Sequence, residues 1–319
     1  MKQKKHVYLF LLIIAASLLT GCSTTEKLLP GEVVEKRNKA AEYAEYGTKY
    51  YNEADYSQAL DFFFLALKEN ILVDSEKGIA ESYNSIGKTY LTAGKTATAQ
   101  EYFLKARDVA EHLNDPGLII RCTNNSGEVF LANQAYKSAL NTFRKAFALI
   151  ESPQKYEDSA VILHNLGVTY KRLENYEKAE EYLLLSLEYN GKNEKYKEMA
   201  SDNYVLASIY SKKGDYSRAE SYINKALEFD RRTENSYGIT KDLTAKGLIL
   251  RKSERKEEAY YTFKRGALVA ESLSLPQDLI LCLKNLEELS KELSYSEDTR
   301  LWRTTREKLE EKLDSETNK

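Results

Sequence analysis

Residues 166–186 read LGVTYKRLENYEKAEEYLLLS, and their spacing recurs along most of the chain. Gly167 belongs to a column of small residues set 40 positions apart: Gly47, Gly87, Gly127, Gly167, Ala207 and Gly247. Three positions later stands a large residue: Tyr50, Tyr90, Phe130, Tyr170, Tyr210 or Leu250. Twelve positions after the small residue an alanine follows every time, from Ala59 and Ala99 to Ala219 and Ala259. Four further on come Phe63, Phe103, Phe143, Leu183, Ile223 and Phe263, and then a second small column from Ala66 to Gly266. A fixed period of this length marks a repeat array.

Within a unit the spacings are helical. Tyr43, Tyr46, Gly47 and Tyr50 recur at i, i+3, i+4 and i+7, which is one helix face. Ala59, Phe63 and Ala66 form a second such face, and the breaker Glu53-Ala54-Asp55 lies between them. Each unit therefore reads as helix, tight turn, helix. The glycine is small because the partner helix crosses there, and the large apolar residue of the second helix fills the space beside it. No period-two strand pattern appears.

The pattern Leu166-Gly167, Tyr170, Tyr176, Ala179 and Ser186, with its copies, resembles the tetratricopeptide repeat. Tyr43 and Tyr83 match that family's first large aromatic, and Tyr56, Tyr136, Tyr176 and Tyr216 the aromatic opening its second helix. The resemblance implies an all-α, right-handed superhelical solenoid of stacked antiparallel helix pairs with a C-terminal capping helix. Two departures stand out. The family's usual period is about 34 residues, so each pair here is longer, and the third unit has Thr123 and Ser126 where large residues are expected.

The N-terminus carries a second signal. Lys2, Lys4 and Lys5 precede an apolar run over residues 7–19, too short to span a bilayer as a helix and matching a secretory leader. It ends Leu19-Thr20-Gly21-Cys22, which resembles the bacterial lipobox and implies acylation of Cys22. Ser23, where an aspartate would imply retention at the inner membrane, leads to an outer-membrane expectation, facing the periplasm of a bacterial envelope. The expected organisation is a leader over 1–21, lipidated Cys22 and tether over 22–32, and a solenoid of six full units and one partial unit over 33–293. A capping helix and frayed tail follow over 294–319, with Ser296 as its N-cap and Leu301, Trp302, Leu309 and Leu313 for packing.

Composition fits one elongated domain of 319 residues, 30% charged and 42% hydrophobic. Pro116 and Pro153 fall where units meet. The formal net charge is −2, and loss of three leader lysines takes it to −5, which argues against nucleic-acid partners. Cys122 and Cys282 occupy the same place four units apart, so buried thiols are expected rather than a disulfide.

Catalytic chemistry is not visible. Gly87-Lys88-Thr89 and Gly94-Lys95-Thr96 lack the earlier glycine and the strand of a phosphate loop. His112 and His164 have no ligand-spaced companions, so no metal and no cofactor are expected. A binding face remains. The resemblance implies that each first helix lines the concave side, which makes Asn84, Lys88, Asn124, Asn125, Glu128 and His164 groove candidates. Asn165, Tyr204, Ser208 and Thr244 join them farther along. Asn125, Asn165 and Asn285 share one register, from which an amide contacts either an extended peptide or its own array.

First helices of the fourth to sixth units end in Lys171-Arg172, Lys212-Lys213 and Arg251-Lys252, and Arg172, Lys212 and Lys252 form a candidate basic stripe. Cations at helix C-termini also offset the macrodipole. The expected function is a membrane-anchored, non-enzymatic scaffold or adaptor that takes a protein partner, as extended peptide or helix, in the assembly or regulation of an envelope complex. The alternative is a ligand-binding accessory lipoprotein of a transporter.

Overall fold

The computed structural model describes residues 29–150 and 159–317, so the leader, Cys22 and Pro153 lie outside the described residues. Among the described residues there are helices and no strands. They run α1 Pro30–Asn52, α2 Tyr56–Leu72, α3 Glu76–Thr92, α4 Thr96–His112, α5 Pro116–Ala132, α6 Tyr136–Ala148 and α7 Ser159–Arg172. The series continues α8 Tyr176–Lys192, α9 Tyr196–Lys213, α10 Tyr216–Arg232, α11 Ser236–Lys252, α12 Lys256–Ser272, α13 Pro276–Glu292 and α14 Ser296–Thr317. Odd-numbered helices through α13 are the first of each pair, and the architecture is an all-α solenoid of the tetratricopeptide type.

The 40-residue period is two identical steps. Most helices are 17 residues, about 25 Å long, and a three-residue turn completes each step. Twelve links hold a left-handed residue: Ala54, Asp74, Gly94, Asn114, Gln134, Glu174, Glu194, Gly214, Glu234, Glu254, Ser274 and Ser294 have φ between 52° and 80°. Around Glu174 the hydrogen bonds are those of a Schellman closure: Glu174 N–H donates to Lys171 O (3.1 Å) and Asn175 N–H to Tyr170 O (3.0 Å). Asn175 then caps the next helix, its side chain accepting from Lys178 N–H (3.0 Å). One residue thus ends one helix and starts the next, which leaves no length to vary.

Each pair closes on the small column. A β-carbon on Gly127 would come within 2.5 Å of the Phe143 ring, and one on Gly167 within 2.6 Å of Leu183. Gly87 and Gly247 stand likewise against Phe103 and Phe263, both at 2.7 Å. Adding that carbon costs ~1–3 kcal/mol in displaced side chains. The aromatic three residues on stacks on the second helix: Tyr50 on Phe62, Tyr90 on Tyr102, Tyr170 on Tyr182 and Tyr210 on Tyr222, with centroids 5.4–5.6 Å apart.

Three boundaries differ from expectation. Pro30 and Gly31 belong to α1, because proline suits the first helical position, where its missing N–H is no loss. Ser296 is the first helical residue of α14, one past the capping position, since Thr299 N–H bonds to Tyr295 O. The helix also continues through Thr317 instead of fraying after Asp314.

α14 starts 40 residues after α12 and packs on α13, so the seventh unit is a complete pair. Its closing contact is ionic. Glu287 stands in the glycine column and Arg303 in the phenylalanine column, joined at 2.9 Å. Lys291 (2.7 Å) and Arg306 (3.0 Å) hold the same carboxylate. Trp302 and Leu309 pack on the last core cluster, whereas Leu301, expected to pack, faces solvent.

The hydrogen bond from Lys291, with those from Arg303 and Arg306, pulls Glu287 from 4.5 down to about 2. A depressed carboxylate stabilises fully above its unfolded value and loses this contribution as pH falls toward its folded one. Glu287→Gln is expected to cost about 2–3 kcal/mol at pH 7 in urea unfolding. The two proteins should converge as pH falls from 4.5 toward 2.

Candidate partner-binding groove

The backbones of successive first helices come close to one another, while those of successive second helices stay apart and meet only through side chains such as Phe64 and Tyr102. The first helices therefore lie on the inner, more tightly curved side of the stack, and the side chains between them are small or polar. Asn125 Nδ2 on α5 donates to Asn84 Oδ1 on α3 (2.7 Å), and Asn165 Nδ2 on α7 donates to Asn124 Oδ1 on α5 (3.0 Å). Glu128 accepts from both Asn124 and Asn165, each at 3.0 Å. Five of the candidate groove residues thus form one buried ladder, with its amides bonded across units. Asn285 instead donates to Leu281 O (2.9 Å) and accepts from Arg251 (3.1 Å).

The remaining candidates separate. Lys88 is exposed and lies over the Tyr51 ring at 5.9 Å. Thr244 is buried, 3.4 Å from the Cys282 thiol, and Cys122 is likewise buried, 3.9 Å from Asn84. No disulfide joins the two cysteines. Tyr204 and Ser208 are half-buried on α9.

Each basic doublet divides its labour. Lys213 reaches Glu180 (3.5 Å), and Arg251 ties α11 to α13 through Glu288 (2.6 Å) and Glu292 (2.9 Å). Arg172, Lys212 and Lys252 are exposed and make no ion pair among the described residues. Burial, with Arg172 and Lys212 close by, pushes the Lys171 ammonium down to about 8, so cations of neighbouring units feel each other.

Buried acids complete the face, and they were not among the sequence candidates. Asp202 on α9 is fully buried; Ser186 (2.8 Å) and Asn190 (3.0 Å) donate to it, and His164 Nδ1 lies 2.7 Å away. Asp242 on α11 lies against Asp230 of α10, and both are buried. An open cavity of about 410 Å³ reaches this pair, lined also by Tyr204 and Tyr237. Its sequence signal was the column Cys122, Ile162, Asp202, Asp242 and Cys282, where two successive acids share a register with apolar residues.

A tetratricopeptide-repeat model matches residues 78–152 and 119–192, and a second matches 203–233. The chain contains tetratricopeptide repeats. No curated protein matches it. A Rap protein complexed with competence and sporulation factor superposes with a TM-score of 0.64 at 18% identity, over 87% of this chain and 76% of that one. The Rap conjugation gene regulator of plasmid pLS20, in complex with the Phr* peptide, gives 0.64 at 16% identity, over 92% and 80%. PilW, a type IV pilus biogenesis factor, gives 0.55 at 18% identity, over 75% and 96%. At these identities the likeness shows the fold.

Burial first, then the charge of Asp230, raise Asp242 to about 8. A raised carboxyl stabilises fully below its unfolded value, and this is lost as pH rises through the folded one. Stability should therefore decline between pH 4 and 8. Asp242→Asn removes that slope and is expected to raise stability at pH 8 by about 2–4 kcal/mol, with little change at pH 4, as measured by urea unfolding.

Proposed function

We propose that this protein is a lipid-anchored, non-enzymatic scaffold of the bacterial envelope that receives a segment of a protein partner along its inner face. The observation that carries the reading is the row of outward cations at Arg172, Lys212 and Lys252 beside a continuous polar face. The macrodipole accounts for cations at helix ends, but not for doublets in three consecutive units and none in the three before them. Two of the similar folds are seen in complex with competence and sporulation factor or with the Phr* peptide, which supports a fold suited to receiving such a segment. A carrier of small hydrophobic molecules calls for an enclosed apolar cavity. The spaces between units here open to solvent and include Lys, Glu and Asp in their walls.

The anchor is tested directly. Intact mass should show a mature chain beginning at acylated Cys22, with partition into detergent; a different start or an aqueous protein removes the membrane from this reading.

Reversing Arg172, Lys212 and Lys252 to glutamate should lower partner recovery from envelope extract and flatten its salt dependence. Melting should shift little, since exposed pairs contribute about 1 kcal/mol or less. Asn125→Ala with Asn165→Ala should also lower recovery, leave its salt dependence intact, and cost about 1–3 kcal/mol for each ladder partner left unbonded. Equal recovery by all three proteins, with folds intact, moves the partner off this face.

A further inference from the structure

Two successive units place a carboxylate at one register, and only one of them is satisfied. Asp202 has its hydroxyl, amide and imidazole partners at Ser186, Asn190 and His164. Forty positions on, the corresponding residues around Asp242 are Ala226, Asp230 and Tyr204. A methyl replaces the hydroxyl and a second acid replaces the amide. Asp242 is 2% exposed, and its Oδ2 has no hydrogen-bond partner. Such an atom costs ~1–3 kcal/mol or more when nothing reaches it.

Both acids belong to the wall of the open cavity. Asp230 accepts from Asn235 at 2.9 Å. A β-carbon on Gly238 would run into the Asp230 carboxylate, so the bare glycine makes room for that acid beside the cavity. The lysines nearby do not fill it. Lys241 is held by Asp278 at 2.7 Å, and exposed Lys197 makes no ion pair with either acid. With one proton shared between two acids, the pair holds one negative charge near neutral pH.

We propose that the cavity between α9, α10 and α11 is a subsite for one cationic side chain, a guanidinium or ammonium, whose N–H groups supply the donors that Asp242 lacks. The inference rests on the groove reading above for the source of that side chain. A planar guanidinium offers paired donors to two carboxyl groups, and Tyr204 and Tyr237 on the walls give it aromatic surface. Among the described residues no third acid, imidazole or thiol joins the pair as a metal ion would require.

The test is calorimetric titration of the full chain in detergent with argininamide, lysinamide and the neutral isostere citrullinamide. Argininamide or lysinamide should bind at least tenfold more tightly than citrullinamide. The double variant Asp230→Asn with Asp242→Asn, which removes both carboxyl groups and leaves an amide at 230 as at Asn190, should abolish the difference while melting cooperatively. Equal or absent binding of all three amides overturns the proposal, as does a preference that survives in the double variant. If the amides are not distinguished while the groove variants still lose their partner, this inference fails and the groove reading stands. If the amides are distinguished while the groove variants recover the partner normally, the subsite stands and the groove reading fails.

Discussion

Five of the seven helix pairs close on a glycine contact that leaves no room for a β-carbon. The volume shared across that contact is held nearly constant: glycine meets phenylalanine in four units, glycine meets Leu183 in another, and Ala207 meets the β-branched Ile223. Close-packed interiors tolerate no other arrangement cheaply. Because the crossing point recurs at one position per unit, most helices on either side share one length. The left-handed turn residue enforces it, since one three-residue link both ends and begins a helix. The end of the array shows the same constraint in different chemistry. Glu287 and Arg303 occupy the two columns, and an ion cluster replaces the apolar contact where the last pair has no further neighbour to cover it.

Drawing the first helices together on the inside has a consequence for what that face can do. Backbones that approach closely leave space for short side chains, and short polar side chains buried between helices must bond to one another. The asparagine ladder is the result. Its amides answer each other across units, so they hold the curvature of the inner face and offer less to a guest than their composition implies. The groups left over, the cations at the helix ends and the acid pair beside the open cavity, are those on which the proposed recognition rests.

Much of the fold was legible because the crossing constraint writes itself as residue size at a fixed interval. Gly167 with Leu183, and Tyr170 with Tyr176, announce a pair before any contact is known. Helix ends were less legible, since the left-handed position accepts Glu174, Gln134 or Ser294 as readily as Gly94, with hydrogen bonds and packing holding it in place. The groove was legible by position and not by bonding. Register placed Asn125 and Asn165 on the inner face, but whether an amide faces a neighbour or a ligand depends on interhelical distances of tenths of an ångström. Asp202 and Asp242 were hidden for another reason: an isolated acid in a polar-looking helix reads as exposed unless its column is compared across units, where Ile162 and two cysteines mark it as buried.

Asp242 and Lys252 lie on one helix ten residues apart, about 15 Å along its axis. The C-terminal end is where the macrodipole favours a cation, and the acid sits in the interior of the stack, where burial opposes its charge. The basic edge is therefore compatible with stability, whereas the acid is held against it. Asp202 shows that the same register satisfies a carboxylate when serine, asparagine and histidine surround it. The inner face near α11 is thus polar along its length, negative at the cavity and positive at the edge. A segment lying along that direction would set its acidic groups toward Arg172, Lys212 and Lys252 and its cation some 15 Å away, which fixes its polarity without any backbone contact.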